Sequence, residues 1–171
     1  NMDIDVFKSA ITAAGVKDLD TSKLTFVLHG RRGNRTELSA ADNTFGRTNP
    51  QLTDAVSRAY VSLGLGEVHM HGAARSPTAN KKAGGAKNSQ HLHDNAFDLD
   101  VSKMSIDLRK NLIRSLSAAG VKGLGIGRNT IHVDMGGLRA WGYKTSAGGG
   151  PVPDWAQGVI SQHLAGKFAK D

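Results

Sequence analysis

The sequence predicts an α+β fold: a small, largely antiparallel sheet with helices packed on one side. Three observations predict it. Several segments repeat apolar residues at helical spacing. Short strand-like runs lie between them, one of which (Ala96–Val101) alternates strictly. The 21 glycines supply turns between the elements. With 171 residues and 39% hydrophobic content, the chain is expected to form a single domain, 1–171, with a real core. Its chemistry-bearing part runs over about 52–143, with an N-terminal extension (1–51) and a C-terminal linker and helix (144–171).

In chain order, Phe7, Ala10, Ile11 and Ala14 predict a helix over 3–15, which Asp3 could cap. Leu24–Leu28 reads as a strand, and 31–49 as a surface loop rich in arginine and turn formers. A helix is expected from Pro50 to Leu63 on the stripe Leu52, Ala55, Val56, Ala59, Tyr60 and Leu63. Glu67–His71 follows as a short strand, and 72–88 as a long loop. In Ala96–Val101, Phe97, Leu99 and Val101 share one face while Asp98 and Asp100 share the other. Ser105 is placed to cap a helix buried through Ile106, Leu112, Ile113, Leu116 and Ala119, with Gly120 as its stop. Gly123–Gly127 reads as a turn or tight strand, and Asn129–Met135 as a strand ended by Gly136. Ser146–Pro153 reads as a linker. A last helix, 154–168, carries Trp155, Val159, Ile160, Leu164 and Phe168.

Charge and composition narrow the function classes. Twenty-two Lys and Arg against fifteen Asp and Glu give +7, and the chain has no cysteine. Thiolate metal sites and disulfides are therefore excluded, and any zinc must take nitrogen and oxygen ligands. The positive balance favours a polyanionic partner, such as nucleic acid, a lipid surface or an anionic cell-wall polymer. Aromatics make up only 5% of the chain, a poor stock for base-stacking platforms, so no specific nucleic acid is expected. No apolar run is long enough for a membrane span, and no signal peptide is visible at the polar, acidic N-terminus. Gly125 and Gly127 lack the third glycine and the βαβ setting of a dinucleotide site.

The chemistry concentrates in Ser89–Asp98 and in Ile131–Asp134. His132 and Asp134 are two apart on a strand and share a face. His91 and Asp98 converge if Asp94 and Asn95 make a turn. A loop histidine, a strand aspartate and a histidine on a neighbouring strand suit one divalent metal, with an open position at which water is activated.

The run Arg75-Ser-Pro77, Asn80, Gly84 to His91, Ala96-Phe-Asp98, Gly125-Ile-Gly127, His132-Val-Asp134-Met-Gly136 and Trp141 resembles the M15 zinc peptidases. These are D-alanyl-D-alanine carboxypeptidases and peptidoglycan endopeptidases, including phage lysins (endolysins). The likeness spans about Glu67 to Trp141. It implies a zinc-dependent hydrolase with one Zn²⁺ held by His91, Asp98 and His132. Arg75 is implied to bind a substrate carboxylate or polarise the scissile carbonyl, and Ser89 to steady a ligand. Asp134 is implied as catalytic base, or alternatively as the partner that orients His132. The implied substrate is a peptidoglycan stem peptide or crosslink, cut by carboxypeptidase or endopeptidase action. The implied place of work is outside the cytoplasm: periplasm, cell wall or phage virion. A monomer is expected, as is a zinc cleft on the sheet.

Three positions depart from the family pattern. Asp94 replaces a glycine. Gly72-Ala-Ala74 lacks a tyrosine found in relatives. Asn129 stands where some branches carry an acidic base. These departures motivate a second reading, a catalytically silent zinc-stabilised module that binds cell wall or protein.

Other residues leave alternatives open. His69, His71 and His93 either border the cleft or form a second metal site. Asp100 is expected to be a hydrogen-bond partner of the site. Trp141 lines the cleft or fills the core, and the area a tryptophan buries points to the core. Arg31, Arg32, Arg35, Lys81, Lys82 and Lys87 are solvated charges or a surface for anionic wall polymers.

Overall fold

Among the described residues, seven strands, numbered along the chain, make one mixed sheet. They are β1 (Thr25–His29), β2 (Arg35–Ser39), β3 (Glu67–Gly72), β4 (Ala96–Asp100), β5 (Gly123–Ile126), β6 (Thr130–Asp134) and β7 (Arg139–Gly142). Their spatial order is β2-β1-β3-β4-β6-β5-β7. The pairs β1–β2, β3–β4, β4–β6 and β5–β6 are antiparallel, while β1–β3 and β5–β7 are parallel. Among the described residues, three helices accompany the sheet: α1 (Pro50–Ser62), α2 (Ile106–Ala118) and α3 (Gln157–Leu164), the last preceded by a 3₁₀ turn at Asp154–Ala156. This computed structural model describes residues 19–30, 33–39, 49–72, 96–143 and 149–168. The expected helix at 3–15 lies outside them.

Strand periodicity divides the sheet into two unlike faces. Phe26, Val68, Met70, Phe97, Leu99, Leu124, Ile126, Ile131 and Val133 occupy one face. They join Leu52, Val56 and Tyr60 of α1, Leu112, Ile113 and Leu116 of α2, and Val159 and Ile160 of α3 in a single buried cluster. The helices therefore cover this face. Burying such side chains contributes about 1.5–3 kcal/mol each. The other face carries His29, His69, His71, Asp98, Asp100, His132, Asp134, Arg139 and Trp141.

The caps follow their residue types. Asn49 accepts from the Gln51 N–H at 2.8 Å with Pro50 in the first turn of α1, and Ser105 accepts from the Leu108 N–H at 3.1 Å at the start of α2. Ser62 and Ser115 hydroxyls meet at 3.1 Å where α1 crosses α2. Arg109, buried on α2, donates to the Arg128 carbonyl at 2.7 Å and the Met104 carbonyl at 3.1 Å. It thereby ties the helix to the β5–β6 turn.

Several local expectations differ from the structure. Arg35–Ser39 is an edge strand rather than loop, paired along β1. The guanidinium of Arg35 bridges Glu37 (3.0 Å) and Glu67 (3.2 Å), so its charge is neutralised at the sheet edge. Arg139–Gly142, not expected as a strand, pairs in parallel with β5. The last helix stops at Leu164, where Gly166 takes a positive φ of 72°. That leaves Leu164 exposed and returns Phe168 to the core as an irregular residue. Ile106 is exposed because it sits in the first turn, ahead of the face that meets the sheet.

Candidate active site

The polar face brings together residues that are far apart in sequence. In the β4–β6 ladder Asp98 pairs with His132 and Ala96 with Asp134. In the β5–β6 ladder Gly123 pairs with Asp134 and Gly125 with His132. β7 adds Arg139 opposite Gly123 and Trp141 opposite Gly125. Asp98, His132, Asp134, Arg139 and Trp141 thus share one patch, because antiparallel and parallel ladders both keep paired residues on a common face.

His132 is nearly buried and its two nitrogens face different carboxylates. Nε2 lies 2.6 Å from Asp134 Oδ2, and Nδ1 lies 3.4 Å from Asp98 Oδ1. Burial alone would lower the His132 pKa, but the Asp134 and Asp98 contacts outweigh it and hold it above the ordinary value. The ring therefore sits in a field that favours positive charge.

Asp134 is fully buried and all its acceptor capacity toward the site is engaged. Arg139 forks onto it, Nη1 to Oδ1 at 2.8 Å and Nη2 to Oδ2 at 2.7 Å. The Gly136 N–H donates to Oδ1 at 2.9 Å. Burial would raise the carboxyl pKa, yet the His132, Arg139 and Gly136 hydrogen bonds overcome that and hold it far below the usual carboxylate range. An ionised carboxylate only accepts, so the hydrogen at the His132–Asp134 contact belongs to Nε2. Nδ1, which faces Asp98, is the nitrogen that would have to give up its hydrogen to offer a lone pair to a metal.

The Nδ1–Oδ1 spacing allows a test of metal fit. Nitrogen and oxygen ligands lie about 2.0–2.1 Å from a tetrahedral zinc, which sets adjacent donors about 3.4 Å apart. The 3.4 Å between His132 Nδ1 and Asp98 Oδ1 is compatible with that separation. A neutral imidazole and a carboxylate are both suited to zinc. Among the described residues no group of three such side chains converges on one point. His91, Arg75 and Ser89 lie outside the described residues, as do His93, Arg31, Arg32, Lys81, Lys82 and Lys87.

The Peptidase M15 family model matches residues 28–134. The chain belongs to the M15 peptidase family. The match starts well before the Glu67 at which the sequence likeness begins, so it takes in the end of β1 together with β2 and α1, and it ends at Asp134. No curated protein matches the chain in sequence. M15 peptidases are metallopeptidases and generally zinc-dependent, so this protein is a hydrolase of peptide bonds by family.

Trp141 does not fill the core. It stands half-buried beside His132, with ring centroids 5.1 Å apart, and stacks on the Arg139 guanidinium at 4.9 Å. Tyr143 follows at 6.4 Å from it. The reason is register: β7 pairs with β5 so that Trp141 faces Gly125, on the polar side. A second histidine group lies two strands away. His29 and His69 share an N–H···N hydrogen bond of 2.7 Å, and His71 Nε2 lies 3.4 Å from Asp100 Oδ2. Asp100 is also tied to the Ser102 N–H at 2.9 Å, as a hydrogen-bond partner rather than a member of the His132 cluster.

Arg139 and His29 were not legible as site residues from sequence alone. A signal for Arg139 does exist, because it shares strand parity with Trp141 and lies opposite a Gly-x-Gly strand. Glycine inside a strand often marks close approach by another group.

Proposed function

We propose that this M15 peptidase is a zinc-dependent peptidoglycan hydrolase that cleaves peptide bonds in stem peptides or crosslinks. One observation carries it. His132 is held at one nitrogen by Asp134 and directs the other at Asp98, at the spacing of two ligands on one tetrahedral zinc. His91 is assigned as the third protein ligand. When bound, the metal would supply Lewis acidity and lower the pKa of water toward about 7.

The chain's own residues have separate tasks in this reading. Asp98 and His132 bind the ion from adjacent strands. Of the two roles open to Asp134, its contacts support the orienting one: a carboxylate saturated by Arg139, Gly136 and His132 has no place for a substrate proton. Arg75 is assigned to the substrate's carboxylate or scissile carbonyl, and Ser89 to steadying a ligand. Trp141 forms a wall beside His132 against which a substrate segment can lie. The site of action is extracytoplasmic, on wall peptides, with the basic charge aiding approach to anionic polymers.

A second reading, a zinc-bearing module without turnover, is favoured by one observation. Neither Asn129, exposed at the end of the β5–β6 turn, nor the clamped Asp134 supplies a free carboxylate base. Zymography on purified cell wall with and without chelator separates the two. Chelator-sensitive clearing, restored by zinc, supports the hydrolase. Stoichiometric zinc without clearing supports the module. Mass spectrometry of the released muropeptides names the bond.

A further inference from the structure

The geometry points to Arg139 as a positioning residue that decides which nitrogen of His132 faces the metal; the inference rests on the zinc reading above and deepens it. An imidazole offers a lone pair on one nitrogen only when the other carries the hydrogen, so ligation through Nδ1 requires the Nε2–H tautomer. The Asp134 carboxylate selects that tautomer by accepting from Nε2 at 2.6 Å. Asp134 can do so only while it keeps this rotamer. Arg139 fixes the rotamer with two parallel hydrogen bonds of 2.8 and 2.7 Å, a fork that only a guanidinium provides.

A second observation, independent of the hydrogen bonds, comes from β5. That strand lies between β6, which carries Asp134, and β7, which carries Arg139. The guanidinium must cross it. At the crossing, β5 presents Gly123, paired with Asp134 on one side and Arg139 on the other. A Cβ at Gly123 would collide with Asp134 Oδ1 and Arg139 Nη1. The glycine makes a notch through which the fork reaches, and the guanidinium lies over the Trp141 ring at 4.9 Å. Arg139 lies beyond the matched segment 28–134, so the alignment of a metal-facing histidine inside that segment depends on a strand outside it.

The experiment compares the full chain with R139A, R139K and G123A. Three quantities are read: the His132 ring nitrogens by long-range proton–nitrogen correlation in metal-free protein titrated until the ring is neutral; zinc affinity by competition with a chromophoric chelator; and folding by circular dichroism. The wild type is expected to show the Nε2–H tautomer. In R139A the tautomers mix and zinc affinity falls about 10–100-fold, as for loss of other partners that orient a metal ligand. R139K recovers less than half of that loss, because an ammonium cannot fork. G123A reproduces the defect with Arg139 still present. A pure Nε2–H tautomer and zinc affinity within twofold of wild type in R139A overturn the proposal. Should R139A fail to fold, R139K and G123A decide by the same two readouts. A wild type that binds no zinc overturns the zinc reading, and the metal-free tautomer still decides the role of Arg139.

Discussion

Gly125 on β5 lies directly under Trp141 on β7: a Cβ at Gly125 would stand 2.7 Å from the Trp141 indole and 2.8 Å from the Tyr143 hydroxyl. The absence of a side chain at this strand position therefore sets how close the aromatic wall comes to His132. Together with Gly123 it explains why a glycine-rich segment forms an interior strand beside β7 despite the poor strand propensity of glycine. Each glycine gives up packing of its own to let a neighbour on β7 reach across.

G125A is expected to cost about 1–3 kcal/mol of stability, as overpacking does, with the indole pushed away from His132. Chemical denaturation measures the first effect. Trp141 fluorescence in a W155F background measures the second, and unchanged emission would contradict the contact.

H132A should abolish zinc binding and hydrolysis together, while the protein stays folded, because Asp134 keeps its Arg139 fork and the Gly136 N–H. Removing the metal from the wild type with chelator should give the same inactive state, reversed by added zinc. Retention of stoichiometric zinc by H132A would show that His132 is not a ligand.

D134N separates the two roles for Asp134. An orienting residue predicts weakened zinc affinity, by about 10–100-fold, with activity regained at high zinc. A catalytic base predicts near-normal affinity with turnover lost at any zinc concentration. Zinc titration of the rate tells them apart.

His163 links α3 to the rest of the fold: its Nδ1 contacts the Ser117 hydroxyl at 2.6 Å and its Nε2 the Lys122 carbonyl at 3.0 Å. Burial lowers its pKa from the ordinary 6.5, although the Lys122 carbonyl opposes this. The unfolded chain therefore takes up a proton before the folded one does as pH falls. Its stabilising share is full above pH of about 6.5 and is lost as pH falls from there toward the folded value. The difference in denaturation midpoint between wild type and H163Q should shrink as pH falls from 7.5 toward 5, roughly the window of histidine titration. A constant difference would refute it.

The Tyr60 hydroxyl is fully buried in the core and has no hydrogen-bond partner among the described residues. Burial drives its pKa well above the ordinary tyrosine value. Leaving such a group unpaired costs about 1–3 kcal/mol. Y60F keeps the ring and removes the cost, so thermal unfolding should move upward. A lower midpoint would mean that the hydroxyl stabilises the fold.

Local patterns in the sequence determined the elements with strong periodicity: α1 from Leu52, Val56 and Tyr60, α2 with its Ser105 cap, and the two-faced strand Ala96–Asp100. They also singled out Asp98, His132 and Asp134 as candidate site residues, because residue type and two-residue spacing on a strand are visible without any fold. What only the tertiary structure decided is whatever depends on pairing register. Arg35–Ser39 becomes a strand because β1 offers it an edge. Trp141 leaves the core because β7 runs parallel to β5 in a register that faces it toward Gly125. Arg139 reaches Asp134 only through the gap at Gly123. Register is a relation between distant segments, and a shift of one residue would turn each of these side chains to the opposite face.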